Sequence, residues 1–175
     1  MTKSAWRWIG ALLFTLLVPG VVTVVLPYWI LDRSVAVRPG PWSVAGALLL
    51  LLGLGVYLRC LWDFVVAGRG IPAPVDHPKH LVVRGLYRNV RNPMYLGVLT
   101  VLLGEVALFR SAALLRYAAL WLLVVHVVVR VYEEPNLRSR FGASYEHYCQ
   151  HVRRWLPGPA YSPATETGGA DRAVP

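Results

Sequence analysis

The sequence predicts an all-α fold: a polytopic membrane helical bundle of about four transmembrane helices, with a C-terminal helical hairpin and a cytoplasmic amphipathic helix. Three observations predict it. Hydrophobic residues make up 56% of the 175-residue chain and charged residues 15%, against about 45–50% and about 25% in ordinary soluble domains. The apolar residues fall in long uncharged runs, such as residues 8–31 and 44–58. Between the runs, Lys and Arg concentrate in alternate loops, as the positive-inside rule requires of a chain that crosses a bilayer.

A hydrocarbon core about 30 Å thick takes roughly 20 helical residues. The spans are therefore read at residues 8–31, 43–66, 94–109 and 112–131. The first is too long for a signal peptide and lacks a small-x-small cleavage site. Pro19 is expected to kink it, which membrane helices tolerate. A short loop with Pro-Gly-Pro at 39–41 leads to the second span, where Gly46, Gly53 and Gly55 suit close helix packing. The loop before the third span contains prolines and histidines that exclude a continuous helix. A structureless region of about 20 residues is more often functional than idle. The third span is short, and the tight Arg110-Ser111 connection makes a hairpin with the fourth. In "EEPNLRSRFGASYEHYCQHVRRWLP", Leu137, Phe141, Tyr145, Tyr148 and Val152 recur every three or four residues, the pattern of an amphipathic helix. Trp155, beside Arg153 and Arg154, suits a headgroup-level anchor. The expected division is 1–66 for spans one and two, 67–157 for a catalytic region and 158–175 for a disordered tail.

Arg69, Lys79, Arg84, Arg88 and Arg91 lie in one loop, and Arg138, Arg140, Arg153 and Arg154 follow the last span. The opposite loops hold Arg33, Arg38 and Arg110, with Arg116 just inside span four. Both termini and any site beside these basic segments are therefore expected on the cytoplasmic side, in the plasma (inner) membrane of a bacterium. The net charge of +9 follows these edges, which points to anionic lipid headgroups as partners, not to nucleic acid. Cys60 and Cys149 show no metal-ligand spacing, so two free thiols and no metal site are expected.

"VRNPMYLG", residues 90–97, marks the start of span three. A residue before proline avoids the helical region, and proline is favoured at the first helical position. Asn92 is thus read as the N-cap and Pro93 as the first residue of the helix. A helix N-terminus with Arg88 and Arg91 beside it suits an anionic group, and equally suits a plain capped helix at a positive-inside edge. In span four, His126, Arg130 and Glu133 or Glu134 follow one another at helical spacings and are expected to share a face. Ionisable groups in a span usually face the bundle interior or a wet cavity. Glu105 is expected to reach toward the external surface. Tyr87, Tyr95, Tyr145 and Tyr148 suit an interfacial belt.

"HLVVRGLYRNVRNPMYLG", then a helical hairpin, then the acidic pair and "FGASYEHY" resemble the isoprenylcysteine carboxyl methyltransferase and phospholipid methyltransferase superfamily, over residues 79–157. The resemblance implies a membrane-embedded enzyme that binds S-adenosyl-L-methionine without a Rossmann domain. It implies cofactor contacts from Lys79, His80, Leu81 and Val82 on the adenosine side and from Tyr87. Asn92, Pro93, Met94 and Tyr95 would lie beneath the cofactor, and Glu133 would reach it from span four. Asn92 stands where His is commoner, a frequent variant in bacterial members. The substrate-binding Arg of the protein-methylating enzymes would fall at Val129, with Arg130 the nearest basic residue.

The cofactor's carboxylate suits the helix N-terminus and Arg91, and its ammonium and sulfonium suit Glu133. Methyl transfer relies mainly on positioning. The acceptor is expected to be a lipophilic or membrane-proximal small molecule or a lipid-modified one, which can arrive laterally through the bilayer. A carboxylate acceptor needs no base, whereas a thiol or amine must lose a proton. His126, Arg130 and Glu134 are the candidate catalytic groups, His126 and the acidic pair being the possible bases. Membrane sterol and steroid reductases share a similar Arg-x-Pro-x-Tyr start but use NADPH, whose phosphates an acidic pair would repel. A non-enzymatic membrane protein that retains the fold is the other alternative.

Overall fold

The computed structural model describes residues 3–31, 36–67 and 81–162. Its helices are α1 (Lys3–Thr15), α2 (Leu26–Ile30), α3 (Pro41–Ala67), α4 (Pro93–Phe109), α5 (Ala112–Val128) and α6 (Glu134–His151). Among the described residues, three helical segments are long and apolar enough to cross a membrane, Trp8–Ile30, Pro41–Val66 and one beginning at Ala112; Pro93–Phe109 is shorter. This is the expected helical membrane bundle.

A π-helical stretch, Leu16–Val25, joins α1 to α2, so residues 3–30 form one helix. Pro19 cannot donate a backbone hydrogen bond and crowds the preceding turn. The chain accommodates it by widening to i→i+5 bonding. The altered backbone is tied to its neighbours. Thr15 and Thr23 hydroxyls donate back to the carbonyls of Ala11 (2.7 Å) and Pro19 (2.8 Å). Tyr117 of α5 donates to the Val22 carbonyl at 2.9 Å, and Thr15 lies 2.8 Å from the Tyr57 hydroxyl of α3.

The tightest contact joins α3 and α4. A Cβ at Gly53 would stand 2.6 Å from the Gly97 carbonyl oxygen, and one at Gly46 would stand 2.8 Å from that of Gly104. Glycines seven residues apart on both helices thus put backbone against backbone, which strengthens dispersion contacts where lipid gives no hydrophobic drive. Gly55, expected in the same role, faces open space. Arg110, at φ 50°, reverses the chain, and Ser111 caps α5 by accepting from the Leu114 amide at 3.3 Å. This is the expected hairpin.

The amphipathic helix does not stand apart from span four. A second π turn, Val129–Glu133, carries α5 into α6, which bends where Gly142 adopts φ 50° and ψ −129°. Two cores result. Ala11, Tyr57, Leu61, Val65 and Val98 pack among the spans, joined by Trp8, Met94 and Trp121. Tyr145, Tyr148 and Val152 pack with Leu81, Val83, Leu137 and Phe141 at the end of the bundle. The stripe read from the sequence is therefore a core face, and Tyr145 and Tyr148 are interior residues instead of belt residues.

After α6 the chain returns antiparallel to residues 88–91. The Arg91 amide donates to the Arg153 carbonyl, Gly158 N–H to Asn89 O and Tyr161 N–H to Arg88 O, each at 2.9 Å. Side chains reinforce it: Asn89 Nδ2 donates to the Gly158 carbonyl (2.9 Å) and Arg88 Nε to that of Tyr161 (2.7 Å). Residues 153–161 form this strap, of which 158–161 were expected within a disordered tail; residues 163–175 lie outside the described residues.

Candidate active site

The π turn sets up the site. Val125 and Val129 carry the buried face of α5, and the widened turn brings both Glu133 and Glu134 back toward the start of α4. Glu134 is 3% exposed and Arg154 grips it bidentately, with Nε–Oε1 at 2.6 Å and Nη2–Oε2 at 2.9 Å. Arg91 Nη1 lies 3.2 Å from Oε1, and Arg138 stands 4.0 Å from Oε2. The Glu134 hydrogen bond holds the Arg154 guanidinium above its already high ordinary range. Arg91 also donates to Cys149 Sγ at 2.8 Å.

Glu133 takes a different partner. The Tyr95 hydroxyl, in the first turn of α4, donates to its Oε1. Glu133 Oε2 accepts no hydrogen bond from the described residues. Tyr95 lies between two indoles, its ring centre 6.3 Å from that of Trp121 and 6.5 Å from that of Trp155. Trp155 Nε1 donates to His126 Nδ1 at 3.0 Å, which puts the proton of a neutral imidazole on Nε2.

Of the predicted residues, Arg91, Asn92, Tyr95, His126, Glu133 and Glu134 come together at the mouth of the hairpin. Others do not join them. Arg130 is exposed: it lies one step past the buried face, and the π turn removes it from the face expected to hold it with His126 and Glu133. Tyr87 packs its ring against Phe64 at 5.5 Å and is buried, so it is a core residue, as is Met94 against the α1–α3 core. Leu81 faces the tyrosine core, Val82 is half-buried beside it, and Pro93 is fully buried. Asn92 precedes the helix as expected, yet its side chain donates to the Arg154 carbonyl at 3.2 Å instead of capping α4. Lys79 and His80 lie outside the described residues. Glu105 is half-buried with its Oε2 shielded and unpartnered among the described residues, so it does not reach outward. Trp121, Trp155, Arg154 and Cys149 were missed. The surplus of arginines on both sides of one acidic pair was the available signal for Arg154, whereas Trp155 looked like a membrane anchor.

A model of the phospholipid methyltransferase family matches residues 42–144. The chain belongs to the phospholipid methyltransferase family. The matched stretch includes Arg91, Asn92, Tyr95, Glu133 and Glu134, while Arg154 and Trp155 lie beyond it. Proteins described as probable protein-S-isoprenylcysteine O-methyltransferases, from Oryza sativa subspecies indica and japonica, are each 31% identical over 122 residues, covering 66% of this chain. The alignment spans 62% of the length of these relatives. No solved structure matches. With its apolar helices, this family member is an integral membrane protein.

Proposed function

We propose that the chain is an S-adenosyl-L-methionine-dependent methyltransferase acting on a lipophilic acceptor, with its site in residues 81–155. The observation that carries this reading is one donor and one acceptor left unpartnered in a single cluster. Arg91 Nε is buried without an acceptor among the described residues, and Glu133 Oε2 accepts no hydrogen bond from them, while Oε1 is held by Tyr95, whose ring neighbours those of Trp121 and Trp155. A guanidinium N–H suits a carboxylate. A carboxylate with aromatic faces suits a sulfonium or ammonium cation. The donor set therefore fits the cofactor, which supplies an electrophilic methyl group when bound.

The residues of this chain bind and orient. Tyr95 fixes the Glu133 rotamer, Trp155 fixes His126, and Glu134 gathers Arg91 and Arg154 into one rigid wall. Three arginines engage Glu134, and Trp155 occupies the free lone pair of His126. Neither is available as a general base in this arrangement, and Glu133 is the cofactor's counter-charge in this reading, which favours an acceptor that needs no base, such as a carboxylate. Arg130, facing outward, has no part in the site. The charge asymmetry supports a cytoplasmic face for the site; the matched curated relatives come from a plant and lend no support to a bacterial host.

Isothermal titration of S-adenosyl-L-methionine into detergent-purified protein tests this. Glu133→Gln is expected to weaken binding by about 1.5–3 kcal/mol, the worth of a charged hydrogen bond. Unchanged affinity would remove Glu133 from the site. Binding of NADPH in place of S-adenosyl-L-methionine would replace the reading with a reductase, and binding of neither would favour the non-enzymatic alternative.

A further inference from the structure

Along one side of α3, beside the segment that precedes α4, runs an open groove of about 470 Å3, within the roughly 300–1,000 Å3 of small-molecule sites. Leu52, Val56 and Leu86 form its walls. Gly55 leaves its floor empty, since a Cβ there would meet nothing within 4 Å. The lining continues into side chains of α3 exposed along the bundle surface, such as Leu48 and Leu58. None of the residues gathered around Glu133 lines it.

Arg59 supplies the charge. It lines the groove with its side chain 56% exposed, and its Nε lies 3.4 Å from Oδ2 of Asp63, itself 2% exposed. Gly85, at φ +55°, presses so close that a Cβ would stand 2.1 Å from that oxygen. Gly85 thus leaves Asp63 little room, and the buried Oδ2, which has no hydrogen bond among the described residues, faces the stem of the guanidinium as an ion pair. The terminal nitrogens of Arg59 make no hydrogen bond among the described residues. A planar fork with free N–H donors matches a phosphate bidentately. A basic group set in an apolar groove at a leaflet edge is matched by an amphiphile with an acidic head.

We infer that this groove holds an acidic phospholipid of the surrounding leaflet, with its phosphate on Arg59 and an acyl chain along Leu52, Gly55 and Val56. Native mass spectrometry of the full chain in non-ionic detergent tests it, with phosphatidylglycerol and phosphatidylcholine of identical acyl chains as probes. Phosphatidylglycerol binds the wild type at least tenfold more tightly than phosphatidylcholine. Arg59→Gln erases that preference, and Arg59→Lys, which keeps charge but loses the fork, retains part of it. Gly55→Leu fills the floor and weakens binding of both lipids several-fold, with circular dichroism and elution volume unchanged. Millimolar glycerol phosphate fails to displace the lipid. Equal binding of the two lipids to the wild type overturns the proposal. So does a preference that survives Arg59→Gln, unchanged binding in Gly55→Leu, or displacement by glycerol phosphate. None of these readings depends on methyl transfer.

Discussion

Glu134 is the residue on which three guanidinium groups converge, and its removal separates structural from chemical roles. Removing one partner of a buried ion pair costs about 3–5 kcal/mol because a charge is left without compensation. Arg154 is a quarter exposed (25%) and Arg91 12% exposed, so solvent screens part of that loss. Glu134→Gln is expected to destabilise the protein by about 2–3 kcal/mol, measured by thermal denaturation in detergent. Arg138→Gln removes only the 4.0 Å partner and is expected to change stability by less than about 0.5 kcal/mol. Equal losses in the two variants would overturn this ranking, because the 4.0 Å contact alone would then matter as much as all three together. At this scale the sequence revealed what it could through cost: charges in apolar surroundings are rare, so Glu133, Glu134 and Arg91 stood out. Trp155 did not, because a tryptophan beside arginines has the same composition whether it faces lipid or His126.

Between helices, the decisive quantity is the approach of α3 to α4. Gly53→Ala puts a methyl group 2.6 Å from a carbonyl oxygen and forces the two backbones apart. The expected cost is about 1–3 kcal/mol, typical of overpacking. Gly55→Ala adds the same atom in open space and is expected to be neutral or slightly stabilising, since alanine is the better helix former. Thermal denaturation of the pair checks the contrast, and similar losses in both would deny the close contact its role. Three glycines in one apolar run signalled close packing without saying which of them face a partner. The repeat of the seven-residue spacing at Gly97 and Gly104 was the missing half of that signal. The π turn at Val129–Glu133 left no trace in composition or periodicity, and for that reason Arg130 was expected on the wrong face.

Across the whole molecule, the strap of residues 153–161 is the long-range element that joins the end of α6 to the segment before α4. It is made of backbone pairing between residues 62 to 73 positions apart, which no local pattern encodes. A chain ending at Pro157 keeps every helix but loses the pairing of Gly158 and Tyr161. It is expected to retain its helical circular dichroism while binding S-adenosyl-L-methionine about tenfold more weakly, a difference of about 1.4 kcal/mol. Titration of both chains checks this, and equal affinities would make the strap dispensable. The same dependence extends to the length of α5. Deleting Val131 would remove the residue that the i→i+5 turn accommodates, and the helix would close to regular bonding with everything beyond it in nearly the same phase. Deleting Val124, inside the regular turns of α5, would instead swing everything beyond it by about 100°. Glu134 would then leave its arginines, and the returning segment could no longer meet Asn89. One codon, in a stretch that touches neither wall of the site, therefore governs whether its two halves meet at all.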